Sequence, residues 1–257
     1  MTQLTDEEIG IYEWEIRLEV FGEEGQRKLR QTGALVSRVG GLGGPVAQQL
    51  VAAGFGKVLL AHAGDLKPGD LNRQILMRYD GLGHPRAAMA KQRLWEYNPN
   101  VEVEALSENI HEDNAADLVS RVDIVFDCAP LFPARMLMTR QCFRQGTPMI
   151  DSAFYGMEGQ VTTIIPGQTP CLACLYPEDI SSWKRRFPVF GAVSAMAASI
   201  AVAEAIKLLA GMGPSLAGKV LSLIHISEPT RPRLRSYAVV WLKKKWVGGG
   251  GGGGGGG

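Results

Sequence analysis

Residues 37–47 read "SRVGGLGGPVA", and the strand, turn and helix that this stretch joins decide the fold. The run ALVSRV before the turn (34–39) is short, apolar and valine-rich, as a buried strand is. After it, PVAQQLVAAG (45–54) has a proline suited to a first helical turn and a glycine suited to a C-cap. Such a turn brings backbone N–H groups against a phosphate at a helix N-terminus, where the helix dipole favours negative charge. Arg38 stands where the first glycine of a dinucleotide turn is found, while Gly40, Gly41 and Gly43 remain around Leu42. Phosphate binding is favoured over a plain tight turn, with Arg38 either facing the phosphate or blocking the loop.

The pattern on either side supports an alternating fold. Residues 1–31 form a helical lead-in, helical from residue 5 to 31, with Thr5 as N-cap and Glu8 as its capping-box partner. Downstream, KVLLAHA (57–63) reads as a strand, PRAAMAKQRLWEYNP (85–99) as an amphipathic helix and VEVEAL (101–106) as an alternating strand. A short helix around 114–120, the apolar strand VDIVFDCA (122–129), a helix near 134–145 and strands near 147–153 and 160–165 follow. VSAMAASIAVAEAIKLLAG (193–211) reads as a buried, alanine-rich helix closed by Gly211. Over residues 32–220 this predicts an α/β fold: a Rossmann-like, doubly wound, mainly parallel sheet with helices on both faces.

The 257 residues, 46% of them hydrophobic, suffice for a sizeable core. LSLIHISEPTR (221–231) has the order of residues that a transposase adapter used in library preparation encodes, and ten glycines end the chain. Residues 221–257 are therefore read as a sequencing artefact and set aside. They hold six basic residues and one acidic residue of the 27 and 26 in the chain, so 21 basic and 25 acidic remain, a formal charge near −4. That balance argues against nucleic acid as a partner. The polar, acidic start MTQLTDEEIGIYEWE and the lack of an apolar run of about eighteen residues predict a cytoplasmic protein with no signal peptide and no membrane span. Of the four cysteines, only Cys171 and Cys174 have a spacing that points to chemistry; Cys128 and Cys142 read as core.

GDLNRQILM (69–77) adds the sharpest signal. Together with GEEGQRKLR, GGLGGPVA, LGHPRA, NP, DIVFDCA, GMEGQVT, PCLACL and EAIKLLAG it resembles the ThiF/MoeB/HesA family of ubiquitin-activating-like adenylyltransferases, as a divergent subgroup closest to its HesA-like members. The resemblance spans roughly residues 12–220. It implies ATP-dependent adenylylation of the C-terminal glycine of a ubiquitin-like sulfur-carrier protein by a homodimer that uses Mg2+ and holds structural Zn2+. Arg73 and Gln74 match the residues that reach the triphosphate, with Arg73 placed to stabilise charge on the leaving pyrophosphate. Arg86 falls where the family has a phosphate-binding lysine, and Asp70, beside Asn72, replaces an asparagine.

Other positions depart from the pattern. His62 stands where a carboxylate meets the ribose, with Asp65 near enough to substitute; a polar cap on the strand end is an equal reading. Trp14 replaces an arginine that reaches the neighbouring subunit, and Pro130 replaces the carboxylate that helps hold magnesium. Asp65, Asp70 and Asp127 are the carboxylates to search for compensation. Cys171 and Cys174 match half of the family's tetrahedral zinc site, and the other pair would lie beyond residue 220. YPEDISSWKRRFPVFGAV (176–193) has no cysteine for a thioester, so chemistry would stop at the acyl-adenylate. The alternative is a non-catalytic member that binds nucleotide or a ubiquitin-like partner. An NAD-dependent oxidoreductase is disfavoured by Arg38, His62 and the LNRQ segment.

Overall fold

The computed structural model describes residues 3–176 and 188–223. The lead-in starts where Thr5 predicts: its Oγ1 accepts the Glu8 N–H at 3.2 Å, and Glu8 Oε2 accepts the Thr5 N–H at 2.8 Å. It forms three short helices, α1 (Asp6–Ile11), α2 (Glu13–Ile16) and α3 (Gly22–Gln31). They are tied to the main fold by Asn98 Nδ2, which donates to the Tyr12 hydroxyl at 2.9 Å, and by Gln26 Nε2, which donates to the Ala53 carbonyl at 3.0 Å.

Strands and helices then alternate as β1 (Gly33–Val36), α4 (Gly43–Ala52), β2 (Lys57–Ala61), α5 (Arg86–Tyr97), β3 (Glu102–Leu106), α6 (Glu112–Ser120), β4 (Ile124–Asp127) and α7 (Phe132–Gln145). The hairpin β5 (Met149–Tyr155) and β6 (Glu158–Ile164), the short α8 (Leu172–Leu175), the long α9 (Gly191–Ala210) and β7 (Val220–Leu223) complete the described chain. The seven strands lie in the order β3-β2-β1-β4-β5-β6-β7, parallel from β3 to β5 and antiparallel at β6 and β7. The chain leaves β1 in one direction for β2 and β3, then crosses back to β4 on its other side. That reversal opens a crevice at the carboxyl ends of β1 and β4.

Alternation along each strand builds two cores. Ala34, Val36, Val58, Leu60, Ile124, Phe126 and Ile150 face α4, α5 and α9, where they meet Val46, Leu50, Leu94, Ala197 and Ala201. Leu35, Leu59, Val125 and Met149 face α6 and α7, against Leu118, Val119, Met138 and Cys142. Helices on both faces are what the sequence predicts.

Two differences have physical reasons. β1 ends at Val36, so Ser37–Val39 belong to the turn and not to the strand. α9 is largely apolar, but it buries one side, with Val193, Ser194, Ala197, Ala198, Ala201, Val202, Glu204 and Ala205, while Ala192, Met196, Ser199 and Ala203 are exposed. It is long and apolar enough to cross a membrane, yet its inward stripe is core. The first three residues of the adapter-like segment, Leu221–Leu223, pair with β6 in β7. Residues 177–187 of the cysteine-free loop and the segment from 224 onward lie outside the described residues.

Candidate functional site

Between β1 and α4 the chain turns over the carboxyl end of the sheet, and sterics fix the residue types. A Cβ on Gly43 would sit 1.6 Å from the Arg38 carbonyl oxygen, so no other residue fits without moving backbone. A Cβ on Gly41 would sit 2.8 Å from Arg73 Cγ, which places the Arg73 side chain directly against the loop. His62, at the end of β2 and only 4% exposed, accepts the Val39 N–H on Nδ1 at 3.2 Å. It braces the loop through that bond. The predicted loop residues, Arg38, Gly40, Gly41, Leu42, Gly43, His62, Arg73 and Gln74, therefore do come together: the Cβ position of Gly40 lies 4.0 Å from both Gln74 Nε2 and His62 Cε1.

Asp70 organises the next layer. Its Oδ1 accepts from Gln74 Nε2 at 2.8 Å and Arg73 Nη2 at 3.3 Å, and its Oδ2 accepts from Arg86 Nη1 and the Lys67 N–H, each at 3.1 Å. Arg73 Nη1 donates to the Gly69 carbonyl at 2.6 Å and to Asn72 Oδ1 at 2.9 Å. Arg86 also donates from Nε to the Gly64 carbonyl at 3.2 Å and from Nη2 to the Ala63 carbonyl at 3.4 Å. All three of its guanidinium nitrogens thus serve the protein itself. Asp65 is exposed, and its backbone bridges Pro85 beside Arg86.

Asp127 lies elsewhere in character. It is fully buried; Oδ1 accepts the Ala129 N–H at 2.9 Å and Oδ2 accepts from Arg135 Nε at 3.3 Å. Arg135 Nη2 also donates to Asp151 Oδ1 at 2.6 Å, while Asp151 Oδ2 is buried with no hydrogen-bond partner. Burial pushes the Asp127 carboxyl up to about 7, against the pull of Arg135 and with the Asp151 charge adding to the rise. Ser37 Oγ accepts the Cys128 N–H at 2.8 Å and so ties the β1 turn to the segment after β4. Sequence reasoning missed Arg135, Asp151 and Ser37. A charge inside the apolar strand PMIDSA was the available signal for Asp151.

The remaining predicted positions stand apart from this crevice chemistry. Trp14 is 78% exposed with the Arg17 guanidinium 5.0 Å from its ring centroid. Cys128 and Cys142 are core, and burial pushes the Cys142 thiol up to about 12. Cys171 and Cys174 hold their Sγ atoms 3.7 Å apart at α8, close to the separation of about 3.8 Å that two thiolates have on a tetrahedral zinc. Two donors make half a structural site, and no group of three or more metal-ligating side chains is present among the described residues.

A glycine turn at a sheet switch point, with the Arg73 side chain and the Gln74 amide beside it, has the form of a phosphate-binding turn. The ThiF family profile matches residues 12–237, nearly the whole chain. This chain belongs to the ThiF family. Its similarity to "Protein HesA, vegetative" of Trichormus variabilis is 43% identity over 238 residues, covering 92% of this chain and 89% of that protein. It is 35% identical over 227 residues to the sulfur carrier protein adenylyltransferase of Thermus thermophilus, covering 84% and 83%. In fold it is similar to PaaA, with a TM-score of 0.77 at 22% identity over 90% of this chain and 74% of that one. E. coli MccB follows the same fold, with a TM-score of 0.71 at 20% identity over 84% and 71%. As a ThiF-family domain, the crevice is built on the family's Rossmann-like frame.

Proposed function

We propose that this ThiF-family chain binds ATP at the glycine turn and adenylylates the C-terminal glycine of a ubiquitin-like sulfur-carrier protein. The observation that carries the reading is Arg73 lying against Gly41, within hydrogen-bond reach of the Asp70–Gln74 cluster. In the reaction a carrier carboxylate oxygen attacks the α-phosphorus. A new P–O bond forms, the bond from that phosphorus to the bridging oxygen breaks, and pyrophosphate leaves with the electron pair. Little covalent work falls to the protein. The backbone of Gly40–Gly43 orients the phosphates, Arg73 offsets charge on the leaving group, and Gln74 and Asn72 line its approach. His62 and Arg86 position the loop and its neighbours, and Arg38, half-buried at the turn, adds positive charge.

Mg2+ would arrive on the triphosphate. Of the three carboxylates considered for it, Asp65 is exposed, whereas the oxygens of Asp70 and Asp127 already accept protein hydrogen bonds. Cys171 and Cys174 would hold two of the four positions on a structural zinc. The outward apolar stripe of α9, with Phe190 exposed beside it, supports pairing of two copies. We assign the protein to the cytoplasm and residues 221–257 to adapter-derived sequence.

The test is exchange of labelled pyrophosphate into ATP with Mg2+ and a candidate sulfur carrier. Carrier-dependent exchange that Arg73→Ala reduces about a hundredfold is the expected result. A second reading, a member that binds nucleotide without turnover, rests on Pro130 and on the internally committed Arg86. Nucleotide binding without exchange for any carrier would favour it over the enzyme.

A further inference from the structure

Resting on the ATP reading above, we infer that Asp70 is an internal stand-in for phosphate, holding Arg73 until polyphosphate takes its place while Arg86 stays anchored. Three observations lead there. First, the carboxylate touches the Arg73 guanidinium, which lies against the turn, and that of Arg86 beside it, so it cancels one of their two positive charges. Second, each carboxylate oxygen has a neutral donor besides its arginine: Gln74 Nε2 on Oδ1 and the Lys67 N–H on Oδ2. Losing one arginine therefore leaves neither oxygen without a partner, which removes the usual penalty for breaking a buried ion pair.

Third, the two arginines are held unequally. Arg86, its side chain 8% exposed, uses all three guanidinium nitrogens on Asp70 and two backbone carbonyls, whereas Arg73 is held mainly through Nη1, on the Gly69 carbonyl and Asn72, and meets Asp70 through Nη2. Arg73 is 26% exposed, its contact with Asp70 is the longer at 3.3 Å, and its stem lies against Gly41 where phosphate would approach. Only Arg73 is placed to be handed from carboxylate to phosphate. Asp70 is thus a positioning residue that sets nucleotide affinity through Arg73.

The experiment is ATP binding in magnesium buffer to the full chain, its Asp70→Asn and Asp70→Ser variants, and each in an Arg73→Ala background. Removing the competing charge should tighten ATP binding about tenfold and steepen its weakening by salt, neither of which a merely structural role would produce. The gain should vanish in the Arg73→Ala background. Unchanged or weaker binding by folded Asp70 variants overturns the hand-over, as does a gain that survives without Arg73. Should the variants not fold, side-chain 15N spectra of the unmutated chain decide: ATP should shift the Arg73 resonance and leave Arg86 in place, and the reverse overturns the inference. If no form binds ATP, the ATP reading and the hand-over both fall; if the unmutated chain binds it and only the Asp70 effect is missing, the hand-over falls alone.

Discussion

Two clusters of aspartate and arginine lie near the carboxyl ends of the central strands, and they are built for opposite purposes. In the first, Asp70 serves two arginines at the mouth of the crevice; in the second, Arg135 serves Asp127 and Asp151 in full burial. The first has neutral donors backing every charged contact, so one arginine can leave. The second has none to spare, because Asp151 Oδ2 already lacks a partner. Burial and redundancy, and not charge alone, separate a cluster that can greet a ligand from one that locks two strands to a helix.

Breaking the second cluster should have the largest effect. Arg135→Met strands two buried carboxylates and is expected to cost about 3–5 kcal/mol in denaturant unfolding. Adding Asp127→Asn and Asp151→Asn to it should recover much of that loss, since no uncompensated charge remains. Breaking the first cluster should instead spare the fold: Arg73→Ala is expected to reduce pyrophosphate exchange about a hundredfold while changing unfolding free energy by under about 1 kcal/mol. A large loss of stability there would erase the distinction between the clusters.

A smaller effect concerns pH. The Asp127 carboxyl is raised to about 7, so the folded chain holds a proton that the unfolded chain releases at ordinary carboxylate pH. Its contribution to stability is full below about pH 4 and is lost as pH rises through about 7. Burial raises that carboxyl most, Arg135 pulls it down and Asp151 adds to the rise, while Cys128 and Tyr176 are buried around the same charges. Asp127→Asn should flatten the stability profile across this window, and a profile unchanged by the substitution would remove Asp127 as its source.

The first cluster was partly legible in the sequence and the second was not. Strand period, the glycine turn and the capping signals at Thr5 and Gly211 are local, and local rules read them. Arg73 and Gln74 were legible because their motif sits within one short segment. That Arg86 serves Asp70, Gly64 and Ala63 was not, since those bonds span up to 23 positions. Asp127 was read as a possible magnesium ligand, yet its side chain turns to the α7 face of the sheet, where only tertiary packing brings Arg135 and Asp151 to it. α9 reads as buried because its composition is largely apolar; which stripe packs inward depends on the sheet it crosses.

Equilibrium binding of ATP in magnesium buffer tests the phosphate-binding turn most directly. The account predicts saturable binding with a Kd below about 1 mM that weakens at least about tenfold in Arg73→Ala. No saturable binding by the folded chain, or equal binding with and without the Arg73 guanidinium, would contradict it.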